Sequence, residues 1–373
     1  MKKILVTGSK GFIAKNLLVR FQNDSNYIFY EFSRDMDISL IPEYLKKVDY
    51  VIHLAGENRP KKIEEFKKNN EEFTQFLCQK IKEEIENSKR IIKLIFTSSI
   101  HAVSDTEYGK SKLGAEKIIK SYSSDKFLTN IFRLPGIFGK WSKPNYNSVV
   151  ATYCHNIARN LTISIDSPKH IIKLIYIDDL LKALVLSLSM DDNQIYKTVE
   201  PEYSISVEEL ASKINSFKAL RTNLNIETIG SGFLKLLYST YLSYLPSDQF
   251  SYQLRENSDV RGKFVEVFKG QNMGQISYLT INANQERGGH YHHTKTEKFL
   301  VVQGKGLFRF RDLLTDKFIE ISVSSKDTKI VDTIPGWAHD IVNIGSEELV
   351  IIVWANEIYD PKNPDTIQHG VSS

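Results

Sequence analysis

The sequence predicts two independently cored domains in tandem: a doubly wound parallel α/β domain, then an all-β barrel or sandwich. Three observations predict this. The chain has 373 residues, more than a single core usually serves. From residue 1 to about 245, short apolar runs alternate with longer amphipathic stretches, the pattern of parallel strands crossed over by helices. From about residue 250 the runs become short, β-branched and aromatic, punctuated by Gly, Asn and Asp, as antiparallel β structure requires.

The elements follow in order. KILVTG reads as a first strand and a helix begins at Ile13. YIFYEF, DYVIHLAG, KLIFTSS and LTNIFRL supply further strands, and FLKLLYSTYLSYLP closes the first half. Pro246 and the polar SDQFSY mark the junction, so the domains are expected at 1–245 and 253–373, joined through 246–252. GKFVEVF, QISYLTI, EKFLVVQG, KGLFRFR and EELVIIVWA are the strands of the second half.

Composition narrows the class. With 41% hydrophobic and 25% charged residues, the chain is neither disordered nor fibrous. The net charge of +4 is small, and lysines alternate with glutamates, as in KKIEEFKKNNEEF, rather than forming a stripe. Nucleic acid is therefore not an expected partner. The two cysteines, Cys78 and Cys154, lie in apolar-periodic stretches, which argues against a disulfide framework and for a reducing compartment. In MKKILVTGSKG the apolar run is too short for a signal-peptide core. The stretch IIKLIYIDDLLKALVLSL is broken by Asp178, Asp179 and two lysines, so no membrane span is expected. A cytoplasmic protein is predicted.

The segment TGSKGFIA follows the first strand at once and leads into a helix, where a dinucleotide pyrophosphate is bound in a Rossmann-type fold. Gly8 permits the tight turn, Gly11 lets backbone approach the phosphates, and Ala14 allows close helix packing, with the helix N-terminus attracting the anion. The second strand runs into Ser33 and Arg34. A cation there suits a 2′-phosphate and points to NADP, with Glu31 and Asp35 nearby as the opposing signal. Tyr108-Gly-Lys-Ser-Lys112 places a phenol and an ammonium one helical turn apart. The ammonium is expected to lower the phenol's pKa, and a hydroxyl from the run Thr97-Ser98-Ser99 is expected to hold the carbonyl oxygen that the phenol protonates.

Taken in order, TGxxGxxA, DYVIHLAG, FTSS, YGKSK, RLPGIFG and IYIDDL resemble the extended short-chain dehydrogenases/reductases that act on nucleotide sugars. The resemblance implies proton transfer by Tyr108, Lys112 and Ser99. It implies a cofactor site of Gly8, Gly11, Phe12, Ile13, Ser33, Arg34, Leu54 and Ala55, together with Tyr108 and Lys112. Asp37 and Ile38 match adenine-lining positions, and Asn70 matches an asparagine of the fourth helix. DYVIHLAG and FTSS correspond to the family's fourth and fifth strands. The chain departs from the pattern at Ala14, which replaces a third glycine, and in a shorter stretch between Ser99 and Tyr108.

In the second half, His290, His292 and Glu297 have the spacing H-x-H-x₄-E, and His339 lies in PGWAHDIVN. Two histidines two apart on a strand share a face and can reach one ion. Nitrogen and oxygen donors suit zinc, manganese, iron or nickel, with zinc the first choice. The arrangement resembles a cupin. Its flanks, Asp259-Val-Arg261-Gly262-Lys-Phe264 and Arg287-Gly288-Gly289-His290-Tyr291, resemble the nucleotide-linked 4-keto-6-deoxysugar epimerases, in which the arginines contact the nucleotide sugar. That family's base aligns with His290. A coordinated imidazole has no lone pair for a base, so with His290 kept as ligand the base lies elsewhere, for example at His293 or Lys298.

An extended reductase followed by such a cupin resembles, over nearly the whole chain, the CapF family of bacterial capsular-polysaccharide enzymes. The resemblance implies epimerisation at carbon 3 of a UDP-linked 4-keto-6-deoxy amino sugar, followed by reduction with NADPH to UDP-2-acetamido-2,6-dideoxy-L-talose, on the way to UDP-N-acetyl-L-fucosamine. Lys143, Asn145 and Asn147 stand where substrate contacts are expected. Two alternatives remain: a reductase whose cupin only binds sugar or dimerises, and a cofactor-sensing regulator without catalysis. Fold-level analogy points to a homodimer.

Overall fold

The computed structural model describes residues 1–189, 195–226 and 229–371. Its first sheet is parallel, with the strands ordered Tyr27–Phe32, Lys2–Thr7, Tyr50–His53, Ile92–Ser99, Phe127–Leu134 and Tyr196–Lys197. Strand Ile92–Ser99 is buried at every position, as a central strand covered on both faces must be. Side-chain alternation divides the core in two. Leu5, Val51, Leu94 and Phe96 pack with Leu77 and Ile81 of helix Phe73–Ser88. Ile4, Val6, Ile52 and Ile95 pack on the other face with Leu17 of helix Phe12–Phe21 and with Leu180 and Leu184 of helix Ile177–Ser187. DYVIHLAG forms the third strand of the chain and FTSS ends the fourth, one fewer than the family count. The reason is that a single short helix, Leu40–Leu45, spans the interval after the second strand. A smaller sheet joins Gly136–Phe138, Ile171–Tyr176 and Tyr203–Ser206.

The chain divides into two units, Met1–Ser216 with Gly230–Pro246, and Phe217–Ile229 with Ser247–Ser373. The segment Phe217–Ile229 joins the β unit because Lys269 N donates to Leu224 O (2.9 Å) and Ile226 N donates to Lys269 O (2.7 Å). The β unit contains two antiparallel sheets. One is ordered Glu256–Asp259, Gly262–Gly270, Gly274–Ile281, Leu349–Ala355, Glu297–Gln303, Ile330–Asp332; the other is Phe318–Ser324, Lys305–Asp312, Trp337–Asn343, Glu286–Tyr291, Ile367–Gln368. Their inner faces meet through Leu279, Phe299, Val301, Ile351 and Val353 from the first and Phe308, Phe310, Val323 and Ile341 from the second. The architecture is cupin-like. Because side chains alternate along a strand, Glu297 shares the inner face with Phe299, and His339 shares it with Ile341.

Cys78 and Cys154 are buried free thiols, and burial pushes Cys78 up to about 12. No described helix is long and apolar enough to cross a membrane.

Candidate functional site

The first strand is followed by Gly8, whose φ is +72°; a Cβ there would lie 2.8 Å from Ala55 backbone, so both the dihedral and the space demand glycine. Gly11 N donates to Gly8 O (2.8 Å) and opens helix Phe12–Phe21. The turn borders a cavity of about 550 Å³ lined by Gly8, Gly11, Ser33, Arg34, Ile38, Leu54 and Ala55. Five predicted cofactor residues lie off its lining, Tyr108 and Lys112 on the neighbouring helix among them. Phe12 and Ile13 pack against the core beneath the helix, and Asp37 is turned to accept from Ser39 N (2.9 Å). Lys10, which the sequence reading missed, lines the cavity and pairs with Asp35 at 2.6 Å. Its signal was there as the cation inside the glycine turn.

Arg34 is already engaged by an anion, Glu57, at 2.9 Å. The Glu57 side chain is 10% exposed, against 73% for Arg34. Burial pushes the Glu57 carboxyl up, but Arg34 and the N–H groups of Arg59 and Asn58 together hold it below its ordinary value. Asn70 clasps the backbone of the same residue. Its Oδ1 accepts from Glu57 N (2.7 Å), and its Nδ2 donates to Glu57 O (3.0 Å) and Ser111 Oγ (2.9 Å).

Tyr108 and Lys112 both stand on helix Glu107–Tyr122. The strand Ile92–Ser99 distributes its terminal hydroxyls. Ser98 Oγ donates to Glu116, the Thr97 carbonyl accepts from Lys112 Nζ (3.2 Å), and Ser99, whose Oγ accepts from His101 N (3.1 Å), stands beside Tyr108. The short stretch between Ser99 and Tyr108 is bridged by a tight turn, Ile100–Val103, onto which the helix packs at Gly109. A Cβ at Gly109 would lie 2.3 Å from His101 O. The expectation that Lys112 lowers the phenol's pKa is corrected by the structure. Burial raises Tyr108 above its ordinary value, with Ser99 opposing. The amine lies on the Thr97 carbonyl and is itself pushed down to about 8 by burial, with Glu116 opposing. A raised pKa keeps the phenol protonated at neutral pH, the state a proton donor needs.

In the β unit a cavity of about 590 Å³ is lined by Arg261, Arg287, His290, Lys295, Glu297 and His339, among others. His290, His292, Glu297 and His339 each offer a donor atom, all within 4.8 Å of one another. Two of the imidazoles have their protons assigned by backbone carbonyls. His292 Nδ1 lies on Asp365 O and His339 Nδ1 on Trp337 O at 3.3 Å. Each Nδ1–H donates, so in the neutral ring each Nε2 carries a lone pair. Those lone pairs face Glu297 Oε2, at 3.3 Å from His292 and 3.8 Å from His339. His339 Nε2 is buried without a hydrogen-bond partner. Lone pairs converging on a carboxylate require a cation between them, so the residues fit a metal. Burial and the neighbouring His339 and His292 push His290 down to about 4, keeping it a neutral donor. Burial pushes the Glu297 carboxyl up, and the Lys295 ammonium beside it opposes that rise.

Neither base candidate, His293 nor Lys298, lines this cavity. Both are exposed, and Lys298 is paired with Asp332 at 2.5 Å. Strand alternation carries Lys298 outward, and His293 stands in the turn between the two strands. The buried cation on the cavity wall is instead Lys295, 2.8 Å from Glu297 Oε1. Arg287 reaches Asp259 at 3.1 Å, and its Nε is buried without a partner. Arg261 holds the other Asp259 oxygen at 2.7 Å. Asn145 and Asn147 line neither cavity. Asn145 adopts φ +52°, and its amide contacts Asn156 at 3.4 Å; Asn147 is exposed. That loop meets the cofactor side through Tyr146, whose hydroxyl donates to Glu57 Oε1 at 3.4 Å and whose ring carries Lys143 at 5.0 Å.

These features define a dinucleotide-binding Rossmann domain joined to a metal-competent cupin-like domain. Residues 4–199 match the NAD dependent epimerase/dehydratase family and residues 257–367 match the polysaccharide biosynthesis C-terminal domain. Over 366 residues, 98% of this chain and 97% of the relative, the sequence is 46% identical to a UDP-2-acetamido-2,6-beta-L-arabino-hexul-4-ose reductase of Pseudomonas aeruginosa. The crystal structure of the capsular polysaccharide assembling protein CapF from Staphylococcus aureus superposes with a TM-score of 0.90 at 37% identity, covering 99% of this chain and 100% of that one. The chain therefore belongs to the CapF family.

Two outcomes follow from the geometry. Gly109→Ala forces the helix off the Ile100–Val103 turn and should cost about 2 kcal/mol or more, read by chemical denaturation. Lys112→Met should be stabilising at pH 7. The folded amine titrates near 8 and the unfolded one near 10.5, so the cost of the buried charge is complete below pH 8 and fades toward 10.5. The variant's advantage, on the order of 1–3 kcal/mol, should shrink over that interval, as denaturation at pH 7 and pH 10 would show.

Proposed function

We propose that this chain is a two-activity enzyme of capsule or O-antigen precursor synthesis. The β domain epimerises carbon 3 of a UDP-2-acetamido-2,6-dideoxy-4-hexulose. The α/β domain reduces the 4-ketone with NADPH to UDP-2-acetamido-2,6-dideoxy-L-talose, toward UDP-N-acetyl-L-fucosamine. One observation carries the reading. A chain similar throughout to a named reductase of such a ketosugar holds a Ser99–Tyr108–Lys112 trio in one domain and a second polar cavity in the other.

When bound, NADPH supplies the hydride. Gly8, Gly11 and Lys10 receive its pyrophosphate, Ser33 and Arg34 the 2′-phosphate, and Ile38, Leu54 and Ala55 flank the adenine. Tyr108 gives its proton to the ketone oxygen as charge develops there, and Ser99 holds that oxygen. In the β domain a divalent metal, zinc by its donor set, supplies Lewis acidity when bound to His290, His292, Glu297 and His339. Arg261 and Arg287 receive the diphosphate. The ketone acidifies the adjacent C–H, so the carbon-3 proton passes to solvent water and another returns from water to the opposite face, while the Lys295 ammonium stabilises the charge delocalised onto the ketone oxygen. Reduction then traps the epimer. A cytoplasmic homodimer belongs to the same reading.

The test is incubation with the UDP-linked 4-ketosugar in deuterated water, with and without NADPH. Deuterium uptake at carbon 3 without NADPH is expected, together with NADPH oxidation that Tyr108→Phe lowers by 100-fold or more, an effect of the order that general acid catalysis contributes. Oxidation without deuterium uptake would reduce the β domain to a binding module. A second outcome concerns cofactor choice, because Glu57 competes with the 2′-phosphate for Arg34. Glu57→Gln should raise the NADPH-to-NADH ratio of kcat/KM, and Arg34→Ala should lower it, each by up to about tenfold, the equivalent of one charge-assisted contact.

A further inference from the structure

The turn between the ligands His292 and Glu297 is held by a residue far away in sequence. Asp365 uses both its backbone and its side chain there. Its carbonyl receives His292 Nδ1. Its carboxylate accepts from His293 N (2.8 Å), Thr294 N (2.6 Å), Lys295 N (2.8 Å) and Thr294 Oγ1 (3.0 Å). One aspartate thus touches every residue from 292 to 295. Just beyond it the chain is laced along the strand bearing His290: Gln368 pairs with His290, Ile367 with Tyr291, and His369 N donates to Gly289 O (2.9 Å).

Three consecutive N–H groups aimed at one point form an anion-binding nest. The one carboxylate in HYHHTKTE, Glu297, faces His292 and Lys295 Nζ instead. The carboxylate fills the nest and thereby fastens its own carbonyl against His292, which fixes the proton on Nδ1 and aims Nε2 at Glu297. The same bonds seat Lys295, whose ammonium lies 2.8 Å from Glu297 Oε1. Without the carboxylate the carbonyl is still present, but nothing holds it at the ring.

We propose that Asp365 is the positioning residue of the metal site: a clamp from the C-terminal segment that sets the His292 tautomer and the 293–295 turn. The proposal rests on the metal reading above. Metal binding and docking of the segment should then support one another, since coupling between two sites is reciprocal.

The experiment is competition for zinc between the full-length protein and a chromophoric chelator, with hydrogen exchange measured on the metal-free and zinc-loaded forms. Asp365→Ala should weaken zinc binding by about 10- to 100-fold, the usual cost of losing an outer-shell partner. Asp365→Asn, which keeps an acceptor oxygen, should recover part of the loss. Asp360→Ala perturbs the same segment outside the clamp and should bind as the native chain does. In the metal-free Asp365→Ala protein, the amides of 293–295 should exchange faster while strands Lys305–Asp312 and Trp337–Asn343 keep their protection, separating a released clamp from an unfolded domain. Zinc affinity of Asp365→Ala within twofold of native would overturn the proposal. A native chain that binds neither zinc nor manganese would overturn the metal reading itself, and the clamp with it.

Discussion

A directional chain of buried hydrogen bonds holds the working edge of the α/β domain together. Thr74 Oγ1 donates to Asn70 O at 2.6 Å, so it accepts from His53 Nε2 at 2.9 Å. The opposite nitrogen, Nδ1, then accepts from Thr7 Oγ1 at 2.7 Å. Burial, with the Lys112 charge adding to it, pushes His53 down to about 3, so the imidazole stays neutral and the direction of the chain does not reverse. At one end the chain pins Thr7, just before the glycine turn. At the other it pins Asn70, whose side chain sorts the backbone of Glu57 and the hydroxyl of Ser111. The glycine turn, the Arg34 partner and the helix bearing Tyr108 and Lys112 thus share one polar skeleton. An unsatisfied member would carry the full desolvation cost of a buried polar group.

The β domain solves a different problem with the same means. Its cavity must present lone pairs, and lone pairs facing a carboxylate repel until a cation enters. Backbone carbonyls of Trp337 and Asp365 settle which nitrogen of each ring is protonated. In both domains, then, main-chain groups and distant side chains decide the protonation state of the candidate site residues. The reactive side chains themselves are few.

Much was legible in the sequence because it depends on local pattern. Apolar runs placed strands in both domains, TGSKG placed the phosphate turn, and the spacing of His290, His292 and Glu297 with a remote His339 placed four donors that the fold does gather within 4.8 Å. What escaped notice depends on partners distant in sequence. Glu57 is 23 residues from Arg34, and Asp365 is 73 from His292. His53 and Thr74 looked like ordinary members of a strand and a helix. Lys295 was passed over for its neighbours His293 and Lys298, because it lies in a turn and is seated inward by Asp365 and Glu297, partners that local pattern does not reveal.

By itself the sequence determined the order of the elements, the two-domain plan and the residue types available for cofactor and metal, since periodicity and turn chemistry are properties of neighbouring residues. Only the tertiary structure decided which hydroxyl of Thr97-Ser98-Ser99 reaches Tyr108, that the phenol is held protonated rather than ionised, that Arg34 already faces an anion, and which cation enters the β cavity. Each of these is settled by burial and by the direction of single hydrogen bonds between segments far apart in the chain. Those quantities come into being only when the segments meet.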